Sequence, residues 1–240
     1  MATWQVTFEH DVAIVSLDDG KANAVLSPEF QSLEAALDEV ASSRALSVVL
    51  TGRPGYLSAG LNLKALPALS MDEKKDVVRA MASAVLKLFL LPKPVVAAVS
   101  GHALGAGAMF ALAADLRVFA DGPFKFGLNE VPAGLFVPTF AIELARAAVS
   151  SSRLTELVVH GRILTPHEAL SMHVAEVVHA PESLMAAALM HARHLAGLTG
   201  SGYALTKRLV RGPGADVARA ALPGELDELA RMLDGTSAPA

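Results

Sequence analysis

Lys93-Pro94-Val95-Val96-Ala97-Ala98-Val99-Ser100-Gly101-His102-Ala103-Leu104-Gly105-Ala106-Gly107 is the stretch whose reading decides the fold. Pro92 and Pro94 forbid the continuation of any preceding helix, and 95–99 reads as a short buried strand. Glycines 101, 105 and 107 then lead into an apolar helix over about 106–114. Upstream, Val48-Val49-Leu50-Thr51-Gly52 and Ser58-Ala59-Gly60-Leu61-Asn62-Leu63 repeat the plan of strand followed by glycine turn. Where a strand turns into a helix, the first helical N–H groups lack partners and the helix dipole adds positive potential. Glycine lets a ligand approach that backbone closely. Two such turns can aim N–H donors at one carbonyl oxygen, the arrangement that stabilises an enolate or a tetrahedral adduct. Asn129-Glu130, on a third turn, adds a mobile proton.

Working outward, 3–8 and 12–17 read as a β-hairpin. Ser27-Pro28 opens a helix over about 28–41, with Ser27 as N-cap and Phe30, Leu33, Leu37 and Val40 at helical spacing. Residues 46–51 form a buried strand of the parallel type. Ser70-Met71-Asp72-Glu73 is a capping box opening a helix that reaches Leu91. A strand at 116–119 follows Asp115. Strands alternating with helices predict an α/β fold with right-handed crossovers. Beyond about residue 139 the pattern is almost purely helical. Helix starts fall at Thr165-Pro166, Pro181-Glu182 and Ser201, with a last amphipathic helix near 216–233 and a frayed tail from Gly235.

Hydrophobic residues make up 52% of the 240 and charged residues 18%. So apolar a surface implies cover by another subunit or by ligand. There is no cysteine, which excludes disulfides, thiolate catalysis and Cys-ligated metal. A net charge of −4 without a basic cluster argues against nucleic-acid binding. No apolar run is long enough to span a membrane, and Met1-Ala2-Thr3-Trp4-Gln5 is not a leader, so the expectation is a soluble cytoplasmic protein. His191 and His194 stand three apart on a helix, but no carboxylate joins them at a metal-site spacing, and no metal is expected.

The glycine order is G-x-x-x-G-x-G, not the dinucleotide G-x-G-x-x-G, and Ala108-Met109 stands where a Walker loop needs Lys-Ser/Thr. Ala98 and His102 occupy the glycine positions of a G-x-S-x-G elbow around Ser100, which disfavours a serine hydrolase. The motifs instead resemble the crotonase (enoyl-CoA hydratase/isomerase) superfamily. Residues 56–64 (YLSAGLNLK) are similar to its FxAGxDLK segment and 93–107 to its KPxIAAVxGxAxGGG segment. Asp115 falls where that family has an aspartate, and Phe126-Gly127-Leu128-Asn129-Glu130-Val131 with Gly134-Leu135 resembles FGxPEVxxGL. The resemblance covers about residues 4–212.

It implies a spiral core of ββα turns over 1–185, a helical trimerisation region over 186–240, and acyl-CoA thioesters as substrates, with no separate cofactor. The assembly expected is a homotrimer or homohexamer. Carried over by motif, the oxyanion donors are the N–H groups of Leu61 and Ala106, and Glu130 is the acid/base. Lys21, Ala22, Asn23, Ala59, Gly60, Asn62, Leu63, Lys64 and Gly105 border the substrate and its CoA. Met109 occupies the place of the first of the family hydratases' two glutamates, and methionine transfers no proton. One carboxylate suits a 3-enoyl to 2-enoyl shift, since it can take the C2 proton and return it to C4. The string at 127–130 is also closest to the Δ3,Δ2-enoyl-CoA isomerase branch. Pro138 stands where dienoyl-CoA isomerases carry an aspartate. The alternatives are hydration, with water or another polar group replacing the missing carboxylate, and a CoA-ester binding protein of low turnover. Ser58 and Asn62 either orient substrate or bond within their own loop, and His102 either lines the pocket or packs. Leu66, Leu69, Met81 and Phe136 are candidates for the pocket wall or the core.

Overall fold

Four times in succession the chain lays one strand in a large sheet, another in a smaller one, and then a helix. The computed structural model describes residues 3–198 and 200–233, so the expected tail from Gly235 lies outside the described residues. After β1 (Gln5–Glu9), the first turn is β2 (Val12–Ser16), β3 (Ala24–Val25) and α1 (Ser27–Ser42). The second is β4 (Ser47–Thr51), β5 (Gly55–Ser58), β6 (Gly60–Leu61) and α2 (Met71–Phe89). β7 (Val95–Val99), β8 (Gly101–Leu104) and α3 (Ala106–Ala113) make the third, and β9 (Leu116–Ala120), β10 (Phe126–Gly127) and α4 (Thr139–Ala148) the fourth. Then come α5 (Ser151–Leu154), α6 (Pro166–Ser171), β11 (Val177–His179), α7 (Leu184–Ala196) and α8 (Ser201–Leu233).

The large sheet runs β1-β2-β4-β7-β9-β11, antiparallel only between β1 and β2. Two smaller parallel sheets, β10-β8-β5 and β3-β6, collect the second strands of the turns. This is the expected ββα spiral. Side-chain alternation along the central strands explains its two cores. Val48 and Leu50 of β4 and Val95, Ala97 and Val99 of β7 face the main core, which α1, α2, α3 and α4 cover. Val49, Val96 and Ala98 face the other way, against Leu184, Ala188 and Ala192 of α7. A sheet buried on both faces needs apolar residues at every position, which is why 95–99 shows no polar alternation.

Several expectations are corrected. Leu26, not Ser27, is the N-cap of α1, its N–H donating to Glu29 Oε2 at 2.9 Å. α2 ends at Phe89, short of Leu91. The glycine segments do not pass straight from strand to helix, because β5 and β8 intervene. These strands pair in parallel, and at the start of the pair they lie so close that a Cβ on Gly101 would stand 2.0 Å from the Gly55 backbone. The C-terminal half is not purely helical, as β11 extends the large sheet along β9. The helices expected from Ser201 and near 216–233 are one continuous α8, with Pro213 and Pro223 inside it. Interior proline costs a helix about 3 kcal/mol, and packing offsets it: Ala215, Ala218, Leu226, Leu229 and Ala230 are buried.

Asp115 joins this helix to the spiral. Its carboxylate accepts from Val95 N and Lys207 Nζ, each at 2.7 Å, and pairs with Arg211 Nη2 at 3.0 Å. Arg211 also donates to the carbonyls of Phe89, Ala113 and Ala114, which the ends of α2 and α3 leave unpaired. Burial depresses the Lys207 ammonium to about 8 against the pull of Asp115. Sequence reading placed Asp115 in its motif but missed both basic partners, 92 and 96 residues downstream. The available signal was two cations four apart on one helical face.

Candidate functional site

β6 pairs only with β3, and a parallel ladder uses alternate amides of each strand. The Asn62 N–H donates to Val25 O at 3.0 Å, so the Leu61 N–H is turned to the opposite, unpaired edge. Gly60, at φ +86°, makes this bend. Ala106 is the first residue of α3 and follows Gly105, at φ +52°. Met109 N donates to Gly105 O at 3.0 Å, whereas the Ala106 N–H precedes the helical ladder and has no acceptor within it. The two segments touch: a Cβ on Gly60 would lie 3.4 Å from Ala106 N and 2.6 Å from Leu104 O.

Glu130 follows β10, at the start of a 3-10 turn over Val131–Ala133. Its Oε1 and the Oδ1 of Asn129 each stand 3.4 Å from the point where a Gly105 Cβ would be. Its Oε2 is buried without a hydrogen-bond partner. Burial pushes the carboxyl up to about 7, against a smaller opposing bond from its own backbone. An ionised carboxylate is penalised in an apolar wall, so the proton is held near neutrality.

Leu61, Ala106 and Glu130 therefore line one cleft. Ala59, Gly60, Leu63, Gly105 and Asn129 share it, and Met81, Met109, Ala133, Leu135, Phe136, Pro138 and Leu229 complete the wall. Among these, only Asn129 and Glu130 carry polar side chains. Met109 faces the cleft. Met81 and Phe136 belong to the wall, while Leu66, which is buried, and Leu69, which packs against the main core, do not line it. Leu229 arrives from α8, 90 or more residues away from every other lining group. No local pattern could have announced it.

An adjoining groove meets the cleft along Leu61 and Leu63. Lys21, Ala22, Asn62 and Lys64 line it, with Asp19, Ala24, Leu26, Pro28 and Glu29. Asn23 is the exception among the expected binding residues. It is fully buried, and its side-chain amide donates to Leu17 O (2.8 Å), Leu57 O (3.1 Å) and Tyr56 O (3.3 Å). Its N–H donates to Asp19 Oδ1 and its carbonyl accepts from Ser58 Oγ at 2.6 Å. No polar atom is left for a ligand, so Asn23 braces the loop from inside. Ser58 does the same, its Oγ also accepting from Gly60 N at 3.0 Å. Three buried bonds at about 1 kcal/mol each, with carbonyls left unpaired, set the expectation for Asn23→Ala: a loss of about 2–4 kcal/mol. Urea unfolding reads this as a lowered midpoint, and an unchanged midpoint contradicts it.

His102 packs rather than lines the cleft. It lies between Tyr56 and Phe124, and its Nδ1 accepts from Lys125 N at 3.1 Å. Burial, then Lys125, lowers its basicity. Among the described residues no group of three or more His, Asp or Glu could hold a metal ion, and no helix is long and apolar enough to cross a membrane.

Residues 7–232 match the family model described as enoyl-CoA hydratase/isomerase. The chain is 35% identical over 195 residues to a Mycobacterium tuberculosis protein named "Probable enoyl-CoA hydratase EchA17", covering 81% of this chain and 74% of the relative. A solved enoyl-CoA hydratase/isomerase family protein from Pseudomonas syringae superposes with a TM-score of 0.88 at 31% identity, over 94% of this chain and 97% of the other. The apo structure of a Mycobacterium tuberculosis enoyl-CoA isomerase gives 0.85 at 29%, over 92% and 96%.

Proposed function

Because the chain belongs to the enoyl-CoA hydratase/isomerase family, and is an enzyme of that type, we propose that it moves the double bond of a 3-enoyl-CoA to position 2. The observation that carries this reading is that Glu130 is the one ionisable side chain among the described residues of the cleft, with Met109 also on its wall, at what the motif resemblance makes the first of the two glutamate positions. The thioester oxygen accepts from the N–H groups of Leu61 and Ala106. Glu130 takes a proton from C2, and the electron pair passes into an enolate held by those donors. The same carboxyl then delivers the proton to C4 as the C2–C3 double bond forms. Each N–H aimed at the developing oxyanion contributes about 3–4 kcal/mol. Lys21 and Lys64, exposed on the groove, offer charge to the CoA phosphates, while Ala22, Asn62 and Leu63 border its chain. CoA enters as part of the substrate and no separate cofactor is needed.

The same reading assigns 1–185 to the catalytic spiral and 186–240, of which 234–240 lie outside the described residues, to a C-terminal region that builds a homotrimer or homohexamer in the cytoplasm. Exposed Leu205, Leu209, Val210 and Val217 on α8 support an assembly surface there. Light scattering checks it, and a monomer at micromolar concentration contradicts it.

Hydration is the second reading, favoured by the name of the EchA17 relative. Assaying 3-enoyl-CoA and 2-enoyl-CoA side by side separates the two. The expected result is conversion of 3-enoyl-CoA as the faster reaction; brisk hydration without any isomerisation overturns the assignment.

A further inference from the structure

The cleft has a closed end, and α8 helps to close it. On one side it meets the groove of Lys21 and Lys64 along Leu61 and Leu63, so with the CoA in that groove the acyl chain runs the other way, past Glu130. Among the lining residues Ala133 is exposed and Leu135 and Phe136 are half-buried, whereas Met109, Met81 and Leu229 are only 1%, 3% and 4% exposed. These three form the end wall. Met109 follows the oxyanion donor Ala106 by three residues of α3, a rise of about 4.5 Å, so the wall begins within a few carbons of the thioester. The cleft encloses about 70 Å³, about half of the roughly 150 Å³ in which an apolar cavity takes the carbons of benzene.

Of the three, Leu229 is the one that does not give way. Methionine is unbranched and adapts its shape to a neighbour, whereas leucine is branched and holds its own. The helix that carries Leu229 is tied down on both sides of the cleft. Glu225, one turn earlier, accepts from Thr139 N through both carboxylate oxygens at 3.1 Å and from Thr139 Oγ1, and so caps α4 where its N-cap residue, Pro138, offers no side-chain bond. Pro138 itself lines the cleft. Asp227 pairs with Lys75 of α2 at 2.8 Å. Leu226 and Ala230 are buried beside these ties. We infer that Leu229 is the stop that sets acyl-chain length, and that the substrates are short-chain thioesters of about four to six carbons. Room for about three carbons beyond the carbonyl gives the lower figure, and movement of the two methionines extends it to the upper. The inference rests on the acyl-CoA reading above, but not on the choice between isomerisation and hydration.

The test is the affinity of saturated acyl-CoAs, which bind without reacting, measured by calorimetry for butyryl-CoA and decanoyl-CoA. Each methylene moved from water into an apolar site raises affinity about fourfold, so a cleft open at its end would favour decanoyl-CoA by far more than tenfold. The expected result is that the wild type binds decanoyl-CoA no more tightly than butyryl-CoA. Leu229→Ala opens the wall and makes decanoyl-CoA the tighter ligand by about tenfold or more. Leu229→Val falls between the two, and carries the test alone should the alanine variant not fold. A wild type that favours decanoyl-CoA tenfold, or a ratio of affinities that substitution at Leu229 leaves unchanged, overturns the inference while the acyl-CoA reading stands. Binding of neither ester by the wild type sinks that reading itself, and the inference with it.

Discussion

Glu130→Gln is expected to lower turnover of 3-enoyl-CoA by about 10²–10⁴-fold, the usual worth of a positioned acid/base, with acyl-CoA affinity changed only a few-fold. The amide keeps the size of the carboxyl and removes the transferable proton. Because the described cleft contains no other ionisable side chain, no neighbour can take over the shuttle. Two pH effects accompany the loss, both from a carboxyl raised by burial to about 7. In the wild type the basic form accumulates above that value, so kcat/KM rises with pH and levels off above about 7. Stability moves the other way. Below pH 4.5 the group is protonated in both the folded and unfolded chain and costs nothing. Between 4.5 and 7 the unfolded chain ionises first, and the folded state loses up to about 3 kcal/mol, which stays lost above 7. The glutamine variant escapes this penalty. Its stability should equal that of the wild type near pH 4 and exceed it at pH 8. Unimpaired turnover rejects the shuttle, and a stability difference that does not depend on pH rejects the buried carboxyl as its cause.

The elements legible in the sequence are those whose cause is local. Val95–Val99 is apolar throughout because both faces of the sheet are covered, and that run needs no distant partner to be recognised. The capping box at Ser70 and the helix start at Thr165 likewise form where the local sequence places them. What escaped reading depends on contact at long range. β5 and β8 are short and rich in glycine and small residues, and they exist as strands through pairing with each other and with β10. Asn23 has the composition of a ligand-facing loop residue, yet three carbonyls from two other segments draw it inward. Leu229 reaches the cleft on the far end of a helix containing two prolines. Motif spacing brought Leu61, Ala106 and Glu130 into view. Their common cleft is a consequence of how β6, α3 and the 3-10 turn after β10 meet, which spacing does not encode.

That meeting point sets the second large effect, in Gly107→Ala. Gly107 lies in the first turn of α3, where alanine is the better helix former by about 0.8–1 kcal/mol, so local propensity favours the variant. The tertiary contact opposes it: a Cβ there would stand 2.1 Å from Ser58 O, 2.9 Å from Ser58 C and 3.0 Å from Ser58 Cβ. Backbone on both sides leaves no flexible end to move aside, and overpacking of this kind costs about 1–3 kcal/mol. The net expectation is a modest loss of stability. The functional loss is larger, because Ser58 Oγ holds Gly60 N and Asn23 O, and Gly60 carries Leu61. Pushing Ser58 away from α3 separates the Leu61 N–H from the Ala106 N–H. Loss of one well-aimed oxyanion donor lowers kcat by about 10²–10³-fold. A control separates site from helix: a Cβ on Gly212, inside α8, would meet only Arg208 Cγ at 4.0 Å. Gly212→Ala should therefore be neutral or slightly stabilising, with full activity. If Gly107→Ala instead matched Gly212→Ala in both stability and kcat, the two donors would not depend on the packing of α3 against Ser58, and the oxyanion geometry argued for this cleft would be wrong.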